Sequence, residues 1–316
     1  TGLEALLRWQ HPGLGVVSPG RFIPIAESSG FIRELGAWAL RQACLQGVEW
    51  LAHGTAVGRL AVNVSGQQLQ HGGFADLVEG VLTDTGYPAD CLELEVTESF
   101  VMRESDQVAE ELRRLRERGV LIAIDDFGAD YSSLSRLKRL PVDRLKIDQS
   151  FIRDITHDPS DLAITRAITA IGATLGLSVI AEGVETGEHS ELLLGAGCSL
   201  AQGYAIARPM EADQVAPWVP RWRRDARPTR RRPLGPTYQS LLLAGVEHRA
   251  WMRAMDEHLT RGAPAPELRA MDCPLEERLT AARGSGRVID LELDKSARLH
   301  GRVHGAAERL VAAHRA

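Results

Sequence analysis

Six apolar runs in this chain lead into carboxylates or amides, seven residues in all: Glu4, Asn63, Glu95, the pair Asp125–Asp126, Glu182 and Gln202. A seventh such run carries Lys146. The runs read LAVNVS (60–65), LELEVTE (92–98), LIAIDDF (121–127), VDRLKID (142–148) and LSVIAEG (177–183). Carboxylates brought to one place repel one another, so a set gathered on one face of a fold implies a bound cation. Oxygen donors without thiolates suit Mg²⁺ or Mn²⁺. Adjacent Asp125 and Asp126 point to opposite faces of a regular strand. Where the chain turns at a strand's end, both can reach one site, or each can hold one of two cations. Two neighbouring cations suit hydrolysis of a phosphodiester. Lys146 can neutralise charge or hydrogen-bond an attacking water. Any one of these residues alone is explained as an ordinary polar strand end; the whole set in order is not.

The elements that position them alternate. Strands are predicted at about 3–8, 59–65, 92–97, 120–126, 142–147, 178–182 and 199–204, with amphipathic helices at about 34–47, 105–118, 160–176 and 187–195. Repeated strand–helix units imply a parallel sheet, open or closed into a barrel, with its working groups at the C-terminal strand ends. A closed eight-stranded barrel needs one strand more than the seven read here. The chain begins at Thr1 immediately before a motif, so the expectation is a TIM-like (β/α) barrel whose first strand lies upstream.

Residues 219–236, VPRWRRDARPTRRRPLGP, are rich in arginine and proline with a single acid. This composition fits a stiff, solvated linker between a domain at 1–218 and a second at 237–316. A patch for an anionic partner is the livelier alternative. Beyond it, helices are predicted at about 237–260, 265–283 and 288–314, a small all-α bundle. With 316 residues, 44% hydrophobic and 25% charged, the chain reads as a globular protein. A net charge of −5 argues against a general DNA binder. Four scattered cysteines, Cys44, Cys91, Cys198 and Cys273, favour free thiols in a reducing compartment, hence the cytoplasm. No apolar run is long enough to span a membrane, and no signal peptide is seen.

Residues 2–210 resemble the EAL-domain family of cyclic di-GMP phosphodiesterases. The signature stands at Glu4-Ala5-Leu6 and continues as LLRW (6–9). NVS follows at 63–65, E-x-T-E at 95–98, DDFG at 125–128, YSSL at 131–134, LKID at 145–148, AEGVE at 181–185 and QGY at 202–204. The resemblance implies a TIM-like barrel that hydrolyses cyclic di-GMP to linear pGpG. It implies metal ligation by Glu4, Asn63, Glu95 and Asp125, with Asp126 for a second metal. Glu182 would bind metal and help activate water, Lys146 would assist that water, and Gln202 would stand close to it. Arg8 would contact phosphate through its guanidinium fork. Glu98 and Glu185 would brace the loop after DDFG and the rim of the site. The sequence departs from the family where Asp130 takes the place of a usual glycine, and where the Gln-Pro-Ile strand before residue 1 is not part of this chain.

In the C-terminal part, His300 and His304 sit four apart on one predicted helix, with His248 and Cys273 upstream. Three histidines and a cysteine form a familiar tetrahedral zinc set; solvent-facing histidines are the plainer alternative. The segment 238–314 resembles the chemoreceptor zinc-binding family, through H-x-x-W, C-x-L and H-x-x-x-H. That implies a zinc sensor, also open to oxidation at Cys273. Glu276 and Arg278 stand where that family usually has glycine and tryptophan. His258 and His314 fit the pattern less well. A homodimer and an upstream sensory or cyclase domain are further expectations. The rival readings are a receptor that holds cyclic di-GMP without cleaving it, and a helical tail that only dimerises.

Overall fold

The computed structural model describes residues 2–55, 57–102, 106–129, 134–222, 236–267, 273–284 and 290–315. Asp130 and most of the arginine-rich stretch, 223–235, lie outside the described residues. The chain opens with β1 (Gly2–Ala5), the short strands β2 (Trp9–His11) and β3 (Gly15–Val17), then α1 (Pro19–Ser29) and α2 (Ile32–Ala52). There follow β4 (Arg59–Val64), α3 (Gly66–Gln70), α4 (Phe74–Thr85), β5 (Leu92–Thr97), α5 (Glu98–Val101), α6 (Asp106–Glu117) and β6 (Leu121–Phe127). Then come α7 (Leu134–Leu137), β7 (Arg144–Ile147), α8 (Gln149–Arg153), α9 (Pro159–Leu175), β8 (Ser178–Ala181), α10 (Gly187–Gly195), β9 (Leu200–Ala201) and α11 (Ala212–Trp218).

Seven strands pair in parallel in the order β1-β4-β5-β6-β7-β8-β9, a curled TIM-like sheet with helices between successive strands. The apolar residues of β5, Leu92, Leu94 and Val96, belong to the main core with Leu112 and Leu115 of α6. Alternate positions turn the other way, and there the sheet interior is charged. Arg144 Nη1 donates to both oxygens of Glu93, at 2.9 and 2.7 Å, and one pleat further on Lys146 meets Glu95 at 2.7 Å. Local chemistry starts the helices where expected. Asp158 caps α9 through Ser160 N with Pro159 in the first turn, and Thr186 caps α10.

Several boundaries differ from the sequence reading, among them the end of α2, which runs on to Ala52 where the helix is expected to end near 47. The first strand ends at Ala5, because Trp9–His11 pairs instead with Gly15–Val17 as an antiparallel hairpin, its Trp9 ring edge-on to Phe22. The last strand is cut to Leu200–Ala201: the Gln202 carbonyl already accepts from Val184 N, in the loop after β8. Of the helix expected from about 265, residues 265–267 are not helical, Pro264 and Pro266 lacking backbone donors, 268–272 lie outside the described residues, and α13 begins at Pro274.

The C-terminal part is helical, with α12 (Pro236–Arg261), α13 (Pro274–Gly284) and α14 (Asp290–Arg315). Two small clusters hold it, Met255 with Ala307 and Val311, and Leu279 with Leu241, Leu275 and Ala297. α12 also packs on α9 and α10, with Val246 buried in the main core. No described helix is long and apolar enough to cross a membrane.

Candidate metal centres

The C-terminal strand ends bring the expected carboxylates together. Glu4 accepts from Asn63 Nδ2 at 2.6 Å on one side and from Gln202 Nε2 at 2.5 Å on the other. An amide that donates to Glu4 keeps its own oxygen for a cation. Lys146 Nζ sits 2.7 Å from Glu95, 2.7 Å from Glu182 and 3.0 Å from Asp125. Asp125, Asp126 and Glu182 each offer an oxygen within 4.8 Å of the others. How adjacent aspartates share a site is visible in the backbone. The β6–β7 register shifts between Ile124 and Phe127, and Asp126 has φ of 55°, the left-handed region that aspartate tolerates better than most residues.

The charge does not balance. Glu4, Glu95, Asp125, Asp126 and Glu182 converge around one ammonium. Burial pushes the Glu95 carboxyl up to about 9, against the pull of Lys146, and Glu4 and Asp125 push it the same way. Burial likewise raises Glu182 to about 7. Asp126 rises to about 6 through desolvation, the Asp125 charge and its hydrogen bond to Asp148. Burial would discharge Lys146, but Glu95, Glu182 and Asp125 outweigh it and hold the ammonium charged. All-oxygen donors with surplus negative charge fit one or two divalent cations of the Mg²⁺ or Mn²⁺ kind.

Other expected residues fall around this centre. Glu98 is buried, and its Oε2 accepts from Gly128 N at 2.7 Å, so it does hold the backbone beyond Asp126. Gly128 has φ of 101°, and a Cβ there would crowd Ile168 and Phe151. Glu185 is exposed, with its backbone N–H donating to His189 Nδ1. Arg8 is exposed and donates to the Leu7 carbonyl, taking no part in the cluster. Sequence reasoning passed over three residues. Asp148 bonds Asp126 and caps α8; it lies two positions beyond Lys146, and strand parity could have found it. Glu93 lies two before Glu95 and carries the same signal. Glu27 accepts from Ser65 Oγ at 2.6 Å and secures the end of β4; it sits on α1, where no strand-end pattern points.

A second cluster forms in the C-terminal helices. His248, Cys273, His300 and His304 each place a ligand atom within 4.8 Å of the others, and Cys273, His300 and His304 are buried. His300 Nδ1 bonds Glu276 Oε2 at 2.9 Å, while its Nε2 is buried without a hydrogen-bond partner. A carboxylate on the far ring nitrogen is how metal-binding histidines are oriented. Glu276, a departure from the resembled family, thus has a part here. Desolvation, with His300 and His304 adding to it, lowers His248 to about 4, so its imidazole is neutral and able to ligate. Burial raises the Cys273 thiol, which lies 3.7 Å from His248 Nδ1. Two nitrogens, a third and a sulfur at these separations fit Zn²⁺. His258 and His314 stand apart from this group, paired ring to ring at 5.8 Å.

The sequence model of the EAL domain matches residues 1–209. The bifunctional diguanylate cyclase/cyclic di-GMP phosphodiesterase MucR of Pseudomonas aeruginosa is 48% identical over 214 residues, 68% of this chain and 31% of that protein. Cyclic di-GMP phosphodiesterase PA2567 of the same organism is 44% identical over 223 residues, 70% of this chain and 38% of that protein. The chain therefore spans well under half the length of these relatives. The structure of the MucR phosphodiesterase in complex with c-di-GMP superposes with a TM-score of 0.65 at 48% identity, covering 67% of this chain and 86% of that one.

Proposed function

This chain belongs to the EAL domain family, and on that footing we propose that residues 2–210 hydrolyse cyclic di-GMP to linear pGpG. The observation that carries the reading is the surplus of carboxylates around Lys146 at the open ends of the strands. Glu4, Asn63, Glu95, Asp125, Asp126 and Glu182 would hold Mg²⁺ or Mn²⁺. Such cations polarise a phosphoryl oxygen and lower the pKa of water. Glu182, held 2.7 Å from Lys146 Nζ at the end of β8, is read as the group that helps activate the attacking water. Lys146, held charged, keeps Glu95, Asp125 and Glu182 at fixed positions. Gln202 and Asn63 fix both oxygens of Glu4. Arg8 is read as a phosphate contact for bound substrate.

Incubation with cyclic di-GMP and Mg²⁺ or Mn²⁺ tests this directly, with pGpG as the readout. Glu4→Gln, Asp125→Asn and Glu182→Gln should each lose turnover by two orders of magnitude or more while keeping the wild-type circular dichroism. Undiminished turnover in Asp125→Asn would sink the assignment. Tight binding of cyclic di-GMP without product would instead establish the receptor reading.

The C-terminal helices, beyond a linker at 219–236, are read as a zinc-responsive module that controls the barrel. The buried, partnerless Nε2 of His300 beside a cysteine and two further histidines supports this. Zinc and thiolate would form together, with the Cys273 proton released. One zinc per chain should survive gentle purification and be lost from Cys273→Ala. Absence of zinc from the wild type, with no response to micromolar zinc, would leave only a helical oligomerisation element.

A further inference from the structure

α12 has two working faces. Leu241, His248, Trp251 and Met255 turn toward the bundle, while Leu242, Val246 and Arg249 turn toward the barrel. Consecutive residues on a helix differ by about 100° in direction, so His248 can face the metal cluster while Arg249 faces away from it. Arg249 Nε donates to the Thr156 carbonyl at 2.6 Å, and its Nη2 lies 3.1 Å from Glu188 Oε1. These two partners are not random surface groups. Thr156 belongs to the segment that leaves β7 after Lys146 and Asp148 and leads into α9. Glu188 lies in the first turn of α10, six residues after Glu182.

We infer that Arg249 is the contact through which the metal state of the bundle reaches the barrel, fastening the helix that bears His248 to the two segments that trail from Lys146 and Glu182. The inference rests on reading the bundle as a zinc site. Tetrahedral ligation at about 2.0–2.3 Å sets donor–donor separations of about 3.3–3.8 Å, and Cys273 Sγ and His248 Nδ1 already lie 3.7 Å apart, so zinc would tie the helices that bear these donors into one unit. Zinc thereby fixes His248, and α12 is one continuous helix from Pro236 to Arg261. A helix ordered in this way holds Arg249 against two anchors at once, and without zinc that hold is looser. The chain between α11 and α12 need not carry the signal.

The experiment compares wild type with Arg249→Met and Glu188→Gln, each zinc-loaded and zinc-free, with excess Mg²⁺ restored to both. Zinc content, hydrogen exchange over residues 154–158 and 182–196, and phosphodiesterase rate are read together. Arg249→Met keeps most of the stem and removes both polar contacts. Expected are one zinc per chain in all three proteins, and exchange at 182–196 that changes with zinc in the wild type. In Arg249→Met the ratio of zinc-loaded to zinc-free exchange should become unity, with zinc-free activity in Mg²⁺ unchanged, and Glu188→Gln should fall between. An equal zinc response in Arg249→Met and wild type overturns the inference while the zinc site stands. Zinc bound by the wild type without any change at 182–196 does the same. No zinc in the wild type sinks both readings, and the metal assay alone tells these cases apart.

Discussion

Lys146→Met removes the one ammonium at the centre of the carboxylate cluster and nearly keeps its side-chain length. Its Nζ lies within 3.0 Å of three carboxylates, and the residue is 1% exposed. Taking one partner from a buried ion pair costs about 3–5 kcal/mol, because the remaining charge is left uncompensated. For a barrel of this size each kcal/mol moves Tm by about 2–4 °C, so the loss at pH 8 in chelator should be about 6–20 °C. The loss must shrink in acid. A stranded carboxylate has a folded pKa above the 4.5 of an unfolded glutamate. Its penalty is therefore absent below that pH and grows as pH rises toward the folded value, by about 1.4 kcal/mol per unit. Lys146 in the wild type has its folded pKa raised above 10.5, so its own contribution is fully present throughout this window. Between pH 8 and pH 5 the variant should regain up to about 4 kcal/mol for each proton it holds and the wild type does not. Urea unfolding at both pH values, followed by circular dichroism, measures this, and Mn²⁺ should restore part of the loss at pH 8. Equal destabilisation at the two pH values, or none at pH 8, would refute the picture of Lys146 as the charge that holds the cluster.

Asp126 has two separable duties. Asp126→Ala should cost about 1–2 kcal/mol in urea unfolding, because the left-handed backbone crowds a Cβ without a polar tip to compensate, whereas Asp126→Gly should be nearly neutral; both should lose Mn²⁺-supported turnover. Glu276→Gln should weaken zinc affinity about 10–100-fold in a competition titration, since the far nitrogen of His300 loses its carboxylate.

The barrel was legible because its chemistry sits at strand ends, where a polar residue interrupts an apolar run. Glu95, Lys146 and the Asp125–Asp126 pair stood out for that reason, and they meet in space. Strand parity carried more than was taken from it: Glu93 and Arg144 face the same interior two residues earlier, and Asp148 two later. The hairpin at Trp9–Val17 was hidden because three-residue strands show no periodicity. No expectation covered α1, whose Pro19 sits in the first turn, where proline is at home, while Pro24 lies inside the helix. The cluster of His248, Cys273, His300 and His304 could be named from the sequence, but not the part of Glu276, which depends on which nitrogen of His300 faces inward. Nor could a sequence show that α12 lies on the barrel, because that contact is set by which stripe of one helix meets α9 and α10.

Glu4 is gripped from both flanks by residues that the ribosome makes far apart. Asn63 comes early, but Gln202 lies 198 positions after Glu4. A growing chain therefore holds Glu4 through Asn63 alone while residues up to 202 are made, and the second restraint must wait for a contact of long sequence separation. Until Gln202 has emerged, Glu4 lacks one of its two restraints. A barrel clipped between Glu182 and Gln202 keeps Glu4, Asn63, Glu95, Asp125, Asp126 and Glu182 but loses the clasp that joins the end of β1 to the end of β9.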